Sequence, residues 1–198
     1  MTFLPTSEPG AVEAIAYDRA SADLRREFAL LQRRVYGEPG LDAEASALHD
    51  AVFDVLSFYV CGQGRVLSYA ALAMKAIVHD GQPYEIAGLS CVMTDPQYQG
   101  RGLGLRAVAA ATRCLARSNL DIGLFTCDPP LARFYERAGQ WPVVSNVVLM
   151  GSHDDAALRS DVLGKVVLMR LLSAKARAAA SGLQDTTIDL GLPIGQFL

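Results

Sequence analysis

No run of this chain approaches the roughly 18–20 consecutive apolar residues that cross a bilayer as a helix. The opening Met1-Thr2-Phe3-Leu4-Pro5-Thr6-Ser7-Glu8-Pro9-Gly10 has neither the basic start nor the apolar core of a secretory leader. A cytoplasmic protein without a membrane partner is the expectation. Charge of one sign is equally scarce. Eighteen Lys and Arg against 21 Asp and Glu leave a net charge of −3, which gives no basic field for a nucleic-acid backbone. The three histidines, His49, His79 and His153, are too scattered to read as a metal-ligand set. Four cysteines, Cys61, Cys91, Cys114 and Cys127, form no CxxC pair and sit in apolar contexts, so they read as free buried thiols rather than disulfides or a zinc site. Cys91 and Cys127 fall within strand-like runs with no histidine near in sequence, which favours structural thiols over nucleophiles. What the chain does have is length and apolar content. Its 198 residues are 51% hydrophobic and 20% charged, enough for one core, with 1–198 read as a single domain and 183–198 as a docked or mobile tail.

Residues 12–17 read as a first strand. Ser21 to Val35 reads as an amphipathic helix with Ser21 at its N-cap and Leu24, Phe28, Leu31 and Val35 on one face. Tyr36-Gly37 breaks it, and a second helix is expected from about Asp42 to Asp54. Val55–Cys61 and Arg65–Val78 flank the turn Gly62-Gln63-Gly64, His79-Asp80-Gly81-Gln82-Pro83 makes a second turn, and Tyr84–Thr94 is a third strand. Gly104 to about Arg117 is helical, with Leu105, Val108, Ala109, Thr112 and Leu115 on one face. Asp121–Thr126 is a short strand and Leu131–Ala138 a short helix stopped by Gly139. Val143–Met150 and Lys165–Leu172 read as a final antiparallel pair, and Ser173–Gly182 as an alanine-rich helix. The order is that of an α+β protein.

Between the third strand and its helix stands Gln99-Gly100-Arg101-Gly102-Leu103-Gly104. A glycine turn from strand into helix collects free backbone N–H groups at the positive end of the helix, where a phosphate or pyrophosphate sits well. Two other glycine loops are excluded by context. A dinucleotide fingerprint opens a parallel βαβ unit and has an acid about twenty residues on, at the end of the next strand; here antiparallel hairpins precede the turn and Asp121 begins the next strand. The Lys-Ser/Thr pair of a nucleoside-triphosphate loop is missing.

Two segments, Gln99-x-x-Gly102-x-Gly104 after a strand and Arg133-Phe134-Tyr135-Glu136-Arg137-Ala138-Gly139 downstream, resemble in order and separation the two signatures of the GNAT superfamily of acyl-CoA-dependent N-acyltransferases. The likeness is clearest over residues 55–150. It implies the GNAT fold, a central, mostly antiparallel mixed sheet of about six to seven strands flanked by helices and splayed at the CoA site. It also implies acetyl-CoA or another acyl-CoA as co-substrate, with no metal. Tyr135, Gly139 and Trp141 further resemble the aminoglycoside 2′-N-acetyltransferases, although those carry an acid where this chain has Ser90.

By position, the resemblance places the CoA pyrophosphate on Gln99, Gly100, Arg101, Gly102, Leu103 and Gly104. The pantetheine arm pairs with the backbone of Val92, Met93 and Thr94 as a pseudo-strand, and the Val92 N–H polarises the thioester carbonyl. Tyr135 becomes the acid that protonates the departing thiolate, Phe134 packs against the arm, and Asp128 stands where many relatives carry a cofactor-binding asparagine. A general base is harder to place. Gly88 and Ser90 occupy the third-strand positions where a carboxylate is common, leaving Glu85 nearer the strand start. Glu38, Asp42, Glu44, His49, Asp50 and Asp54 are available to frame an acceptor pocket, as is the carboxylate of Leu198 if the tail folds back. The expected reaction is direct transfer of an acyl group, acetyl first, to a primary amine of a small molecule. A CoA-binding module without turnover and a longer-chain acyltransferase are the alternatives. The late strands leave room for a homodimer, since strand edges need covering.

Overall fold

Hairpin chemistry builds the first half of the sheet. In the computed structural model, which describes residues 9–37, 48–154 and 156–198, β1 (Val12–Ala16) pairs antiparallel with β2 (Asp54–Gly62). Strand β2 pairs with β3 (Arg65–His79), and β3 with β4 (Gln82–Thr94), again antiparallel. Gln63-Gly64 and Asp80-Gly81 make the tight turns, all four residues having φ between 48° and 74°. That left-handed pair suits the right-handed twist of the flanking strands. Strand β5 (Ile122–Cys127) joins β4 in parallel through only Ile86↔Ile122 and Ala87↔Gly123. Its other edge pairs antiparallel with β8 (Val166–Leu171), which also holds β6 (Val143–Val144). The result is a seven-stranded mixed sheet in the order β1-β2-β3-β4-β5-β8-β6, split between β4 and β5 beyond Ala87 and Gly123.

Side chains alternate across the pleat, so each face carries its own layer. On one face α2 (Leu103–Ala116) and α3 (Ala132–Gly139) pack with Trp141 on Ala70, Leu72, Ala87, Leu89 and Phe125. On the other, α1 (Ala22–Tyr36) sets Phe28 and Leu31 on Tyr59, Tyr69, Ala71 and Met93. Ser21 caps α1 by accepting from Leu24 N at 3.2 Å, and Gly37 ends it at φ 66°. Beside α1, a parallel pair made by β7 (Val147–Met150) and β9 (Thr186–Asp189) covers Ile77, Ile86, Ile122 and Leu124, with α4 (Ala174–Ala178) leading in from β8. Among the described residues no helix is long and apolar enough to cross a membrane.

Four readings change. The buried stripe of α2 is Leu103, Ala107, Val108, Ala111, Thr112 and Leu115. Two alanines, Ala107 and Ala111, are fully buried, although hydrophobicity alone ranks them below Leu105. Residues 48–53 form bends and a turn, with Asp50 Oδ1 accepting from Val52 N at 2.8 Å, rather than a helix; Glu38, Asp42 and Glu44 lie outside the described residues. The run Val143–Met150 breaks at Asn146, φ 63°, so that β6 pairs with β8 while β7 turns to β9. Gly139 is still helical, and the left-handed residue is Gln140 at φ 55°. Glycine is needed at 139 for space, because a Cβ there would meet Thr112 Cγ2 and Trp141 Cδ1, both at 2.9 Å.

The tail folds back onto the molecule. Leu183, Ile188, Leu190 and Leu192 are buried, and Thr126 Oγ1 donates to Leu198 O at 2.8 Å. Strand β8 is flanked by β5 and by the two residues of β6, and β7 pairs with β9.

Candidate active site

The extra residue in β4 prepares the site. Tyr69↔Met93 and Ala71↔Ser90 are both in register, so Ala70 alone faces Cys91 and Val92. This is a β-bulge, which bends the strand and re-aims its backbone. Cys91 takes φ 50°, a conformation that costs a non-glycine residue about 1–3 kcal/mol. Because β5 has diverged, the edge of β4 from Gly88 onward has no strand partner on that side among the described residues.

Asp95 ends the strand. It is 2% exposed, lies 2.9 Å from Arg34 Nε of α1, and accepts from Gln97 N at 3.0 Å. A 3-10 turn, Pro96–Tyr98, leads into the glycines. Gly100 and Gly102 have φ of 75° and 77°, values at which other residues are strained. Gly102 is the N-cap of α2 with no side chain to satisfy the first-turn N–H groups, which are left for a ligand. At Gly104 a Cβ would meet Thr94 Oγ1 at 2.9 Å and Phe134 Cζ at 3.6 Å, so glycine lets helix, strand and α3 converge.

These elements enclose a cleft of about 530 Å³ lined by Val92, Met93, Thr94, Tyr98, Gln99, Gly100, Gly102, Leu103, Gly104, Leu105, Leu131, Phe134, Tyr135 and Arg137. The lining brings together the first-turn backbone of α2, apolar side chains, an arginine and a phenol, a mixture that accommodates a ligand with an anionic head and a partly apolar arm. The Arg101 guanidinium lies over the Tyr98 ring at 4.9 Å from its centroid and is not among the residues that line the cleft. Tyr135 is buried, edge-on to Phe125 at 4.9 Å and to Phe134 at 5.0 Å. Burial pushes its pKa well above the ordinary tyrosine value, and the neighbouring Cys127, Tyr36 and Asp128 add to the rise. The phenol therefore keeps its proton throughout the neutral range.

Three candidates named from the sequence, Arg101, Glu85 and Asp128, are not among the residues that line the cleft. Glu85 is exposed at the start of β4, its backbone tied to Asp121. It is seven residues from Val92, roughly 23 Å at about 3.3 Å per residue, so strand length removes it from the transfer point. Asp128 is exposed after β5, outside the cleft lining, and its carboxylate is taken by Lys165 Nζ at 2.7 Å.

A buried polar chain that sequence spacing did not reveal lies on the α1 side of the bulge. His49 Nε2 is 2.7 Å from Tyr69 Oη, which is 2.8 Å from Ser57 Oγ, and His49 Nδ1 is 3.9 Å from Cys91 Sγ. Tyr17 fixes the segment, its hydroxyl accepting from Leu48 N at 3.2 Å and its ring lying edge-on to the His49 ring. Burial lowers the His49 pKa to about 4. Between about pH 6.5 and 4 the unfolded chain takes up a proton that the folded chain refuses, so His49 stabilises the fold above this window and that stability is lost as pH falls through it. The full loss is about 3 kcal/mol. Urea midpoints at pH 7 and pH 4.5 should fall further for the wild type than for His49→Gln; equal falls would refute the assignment.

The sequence profile of the Acetyltransferase (GNAT) family matches residues 23–140. No curated protein sequence matches this chain. Among solved structures, a GNAT family N-acetyltransferase from Escherichia coli in complex with CoA superposes with TM-score 0.60 at 14% identity, over 96% of this chain and 92% of that one. A ribosomal-protein alanine N-acetyltransferase from Escherichia coli gives 0.52 at 14%, over 82% and 94%. A probable N-acyltransferase from Enterococcus faecalis gives 0.51 at 16%, over 68% of this chain; the chain spans only 33% of that protein's length. At such identities the structural likeness speaks for the fold, and the profile match over more than half the sequence speaks for descent. The chain belongs to the GNAT acetyltransferase family, whose general reaction is acyl transfer from acyl-CoA.

Proposed function

We propose that this protein transfers an acyl group, acetyl first, from acyl-CoA to a primary amine of a small molecule, with both substrates bound at once. The observation that carries the reading is a shared cleft: the glycine turn, the unpaired β4 edge at Val92 and the phenol of Tyr135 all open on it. CoA supplies an activated thioester. Gly100, Gly102, Leu103 and Gly104 hold its pyrophosphate on backbone N–H groups, with Gln99 closing the turn through Nε2 on Thr94 O at 3.2 Å. Val92 N–H donates to the acyl oxygen, a bond that strengthens as negative charge develops there. Tyr135 donates its proton to the departing sulfur. A phenol near pKa 10 is a weaker acid than a thiol near 8.5 in water, but the same burial that raises the phenol raises the thiol, so the mismatch does not forbid transfer.

Among the described residues that line the cleft there is no carboxylate side chain, and in this reading the acceptor reacts as its free amine. kcat/KM should therefore climb with pH along the acceptor's own deprotonation, and Glu85→Gln should leave that profile unmoved. A limb that disappears in Glu85→Gln would restore Glu85 as the base. The aminoglycoside likeness rests partly on Trp141, which is buried and donates to Thr112 Oγ1 at 2.9 Å. Trp141 is thus a core residue and carries no information about the acceptor.

The test is thiol release from acetyl-CoA across a panel of aminoglycosides, polyamines, amino acids and a peptide amine, with CoA affinity measured beside it. Turnover on a small amine supports the proposal. Tight CoA binding with no turnover on any amine would leave a binding module. Tighter competition by longer acyl thioesters would shift the donor.

A further inference from the structure

Charge is unevenly spread over the chain. Residues 96–120 and 129–140, which include α2 and α3, carry six of the 18 Lys and Arg but one of the 21 Asp and Glu. Arg106, Arg113 and Arg117 are spaced by seven and four residues, so they lie within about 20° of one line along α2 and its C-cap. Arg133 and Arg137, four apart, make a second line on α3. The two helices run side by side in the same direction, since a Cβ at Gly104 would meet Phe134 and one at Gly139 would meet Thr112. All five arginines are exposed, and among the described residues none of them is in an ion pair with a carboxylate. Between the helices lies a second cavity, of about 310 Å³, whose lining includes Arg113, Arg137 and the half-buried Arg170 and no described carboxylate side chain. Arg137 also lines the first cleft, so the arginine face begins at that cleft's wall.

CoA does not account for the whole face. Its pyrophosphate sits on the glycine turn, and its one remaining phosphate hangs from the adjoining ribose. Arg117 is 14 residues beyond Leu103, roughly 21 Å along the helix at about 1.5 Å per residue. We propose that the α2–α3 face docks an acidic carrier protein, which delivers the acyl group on its own phosphopantetheine arm, so that CoA is one of two donors. This rests on the CoA reading above. The carrier's arm is the arm of CoA and enters the same cleft. Where CoA has a pyrophosphate the carrier has a single phosphodiester, and the attraction lost there is supplied by its acidic body on Arg113, Arg117 and Arg133. Exposed Leu131, in the cleft lining, and exposed Val143, which shares a groove with Arg133, add the apolar contacts that protein interfaces combine with arginine. A nucleic acid fits less well, because neither helix exposes an aromatic ring for bases to stack on; Phe134 is half-buried and Tyr135 buried. The transfer itself is unchanged. The amine electron pair forms the C–N bond, the C–S pair stays on the carrier's sulfur, and Tyr135 protonates that sulfur. The proton lost by the amine returns to the Tyr135 oxygen through solvent.

The experiment titrates the full chain calorimetrically with an acidic acyl carrier protein in its holo form, with the same carrier lacking its arm, and with free phosphopantetheine. The holo carrier is expected to bind at least about tenfold tighter than either part alone. Its affinity should fall as NaCl rises, and excess CoA should reduce it to that of the armless form. Arg113→Glu, Arg117→Glu and Arg133→Glu combined should weaken holo-carrier binding by about 10²-fold. Tm should hold, because all three side chains are exposed. CoA affinity should stay within about twofold, because none of the three lines the cleft and salt screens exposed charges. A holo carrier that binds no tighter than free phosphopantetheine overturns the proposal, as does one indifferent to salt and to charge reversal. Polyuridylate bound in place of the carrier, and lost in the same triple variant, would overturn it in favour of nucleic acid. CoA bound without the carrier removes this proposal alone, whereas failure of CoA itself to bind removes the parent reading along with it.

Discussion

Gly102→Val should eliminate measurable CoA binding while leaving the fold intact. At φ 77° a β-branched residue is strained, and about 1–3 kcal/mol of conformational cost falls on the turn. Among the described residues, its own chain neighbours apart, nothing lies within 4 Å of the Cβ position, so overpacking is not the cause of the loss. Relief comes by rotating the turn, which moves the N–H groups of the first turn of α2 off the anion. Hydrogen bonds to a charged group contribute about 1.5–3 kcal/mol each; two of them lost correspond to roughly 10²–10⁴-fold in Kd. Gly164 supplies the control. It also has positive φ, 65°, and open space around its Cβ position, but lies away from the cleft. Gly164→Val should lose comparable stability and keep CoA affinity. Calorimetry on the two variants separates seat from strain, and retained affinity in Gly102→Val would move the pyrophosphate elsewhere.

Tyr135→Phe should lower kcat by about 10²–10⁴-fold, the range of general acid catalysis, with CoA affinity nearly unchanged. The ring stays, and with it the edge-on contacts to Phe125 and Phe134. Its described contacts are those ring contacts, so removing the hydroxyl preserves the packing and Tm should hardly move. The separation of kcat from affinity and Tm distinguishes an acid from a core aromatic. An unaltered kcat, under conditions where chemistry limits turnover, would remove Tyr135 from the mechanism.

Features written in local chemistry could be read from the sequence. Ser21 and Gly37 bound α1 because a hydroxyl caps N–H groups and a glycine accepts the left-handed turn. Gln63-Gly64 and Asp80-Gly81 set the hairpins. The glycine turn and Tyr135 stand in short contiguous motifs, and the fold brings them to one cleft. What escaped depends on distance through space. The partner of Val147–Met150 is a strand near the end of the chain, and its alternating pattern is equally content with β8. Strand length carries Glu85 away from Val92, although both lie on β4. His49 reaches Cys91 only because Tyr17 and Tyr69 hold it there across three elements. Arg34 and Asp95, 61 positions apart in the numbering, meet because α1 crosses the end of β4. Arg137 was within the second signature all along, and its place on the cleft wall follows from one helical turn of α3.

The central claim is that the glycine turn seats CoA with its reactive end at Val92. Titrating CoA into isotope-labelled protein and following backbone amide resonances tests it at the atoms concerned. Saturable shifts at Gly100, Gly102, Leu103 and Gly104, accompanied by Val92 and Thr94, are the predicted result. If those amides stay still in a large excess of CoA while resonances elsewhere move, the seat is wrong and the mechanism built on it falls.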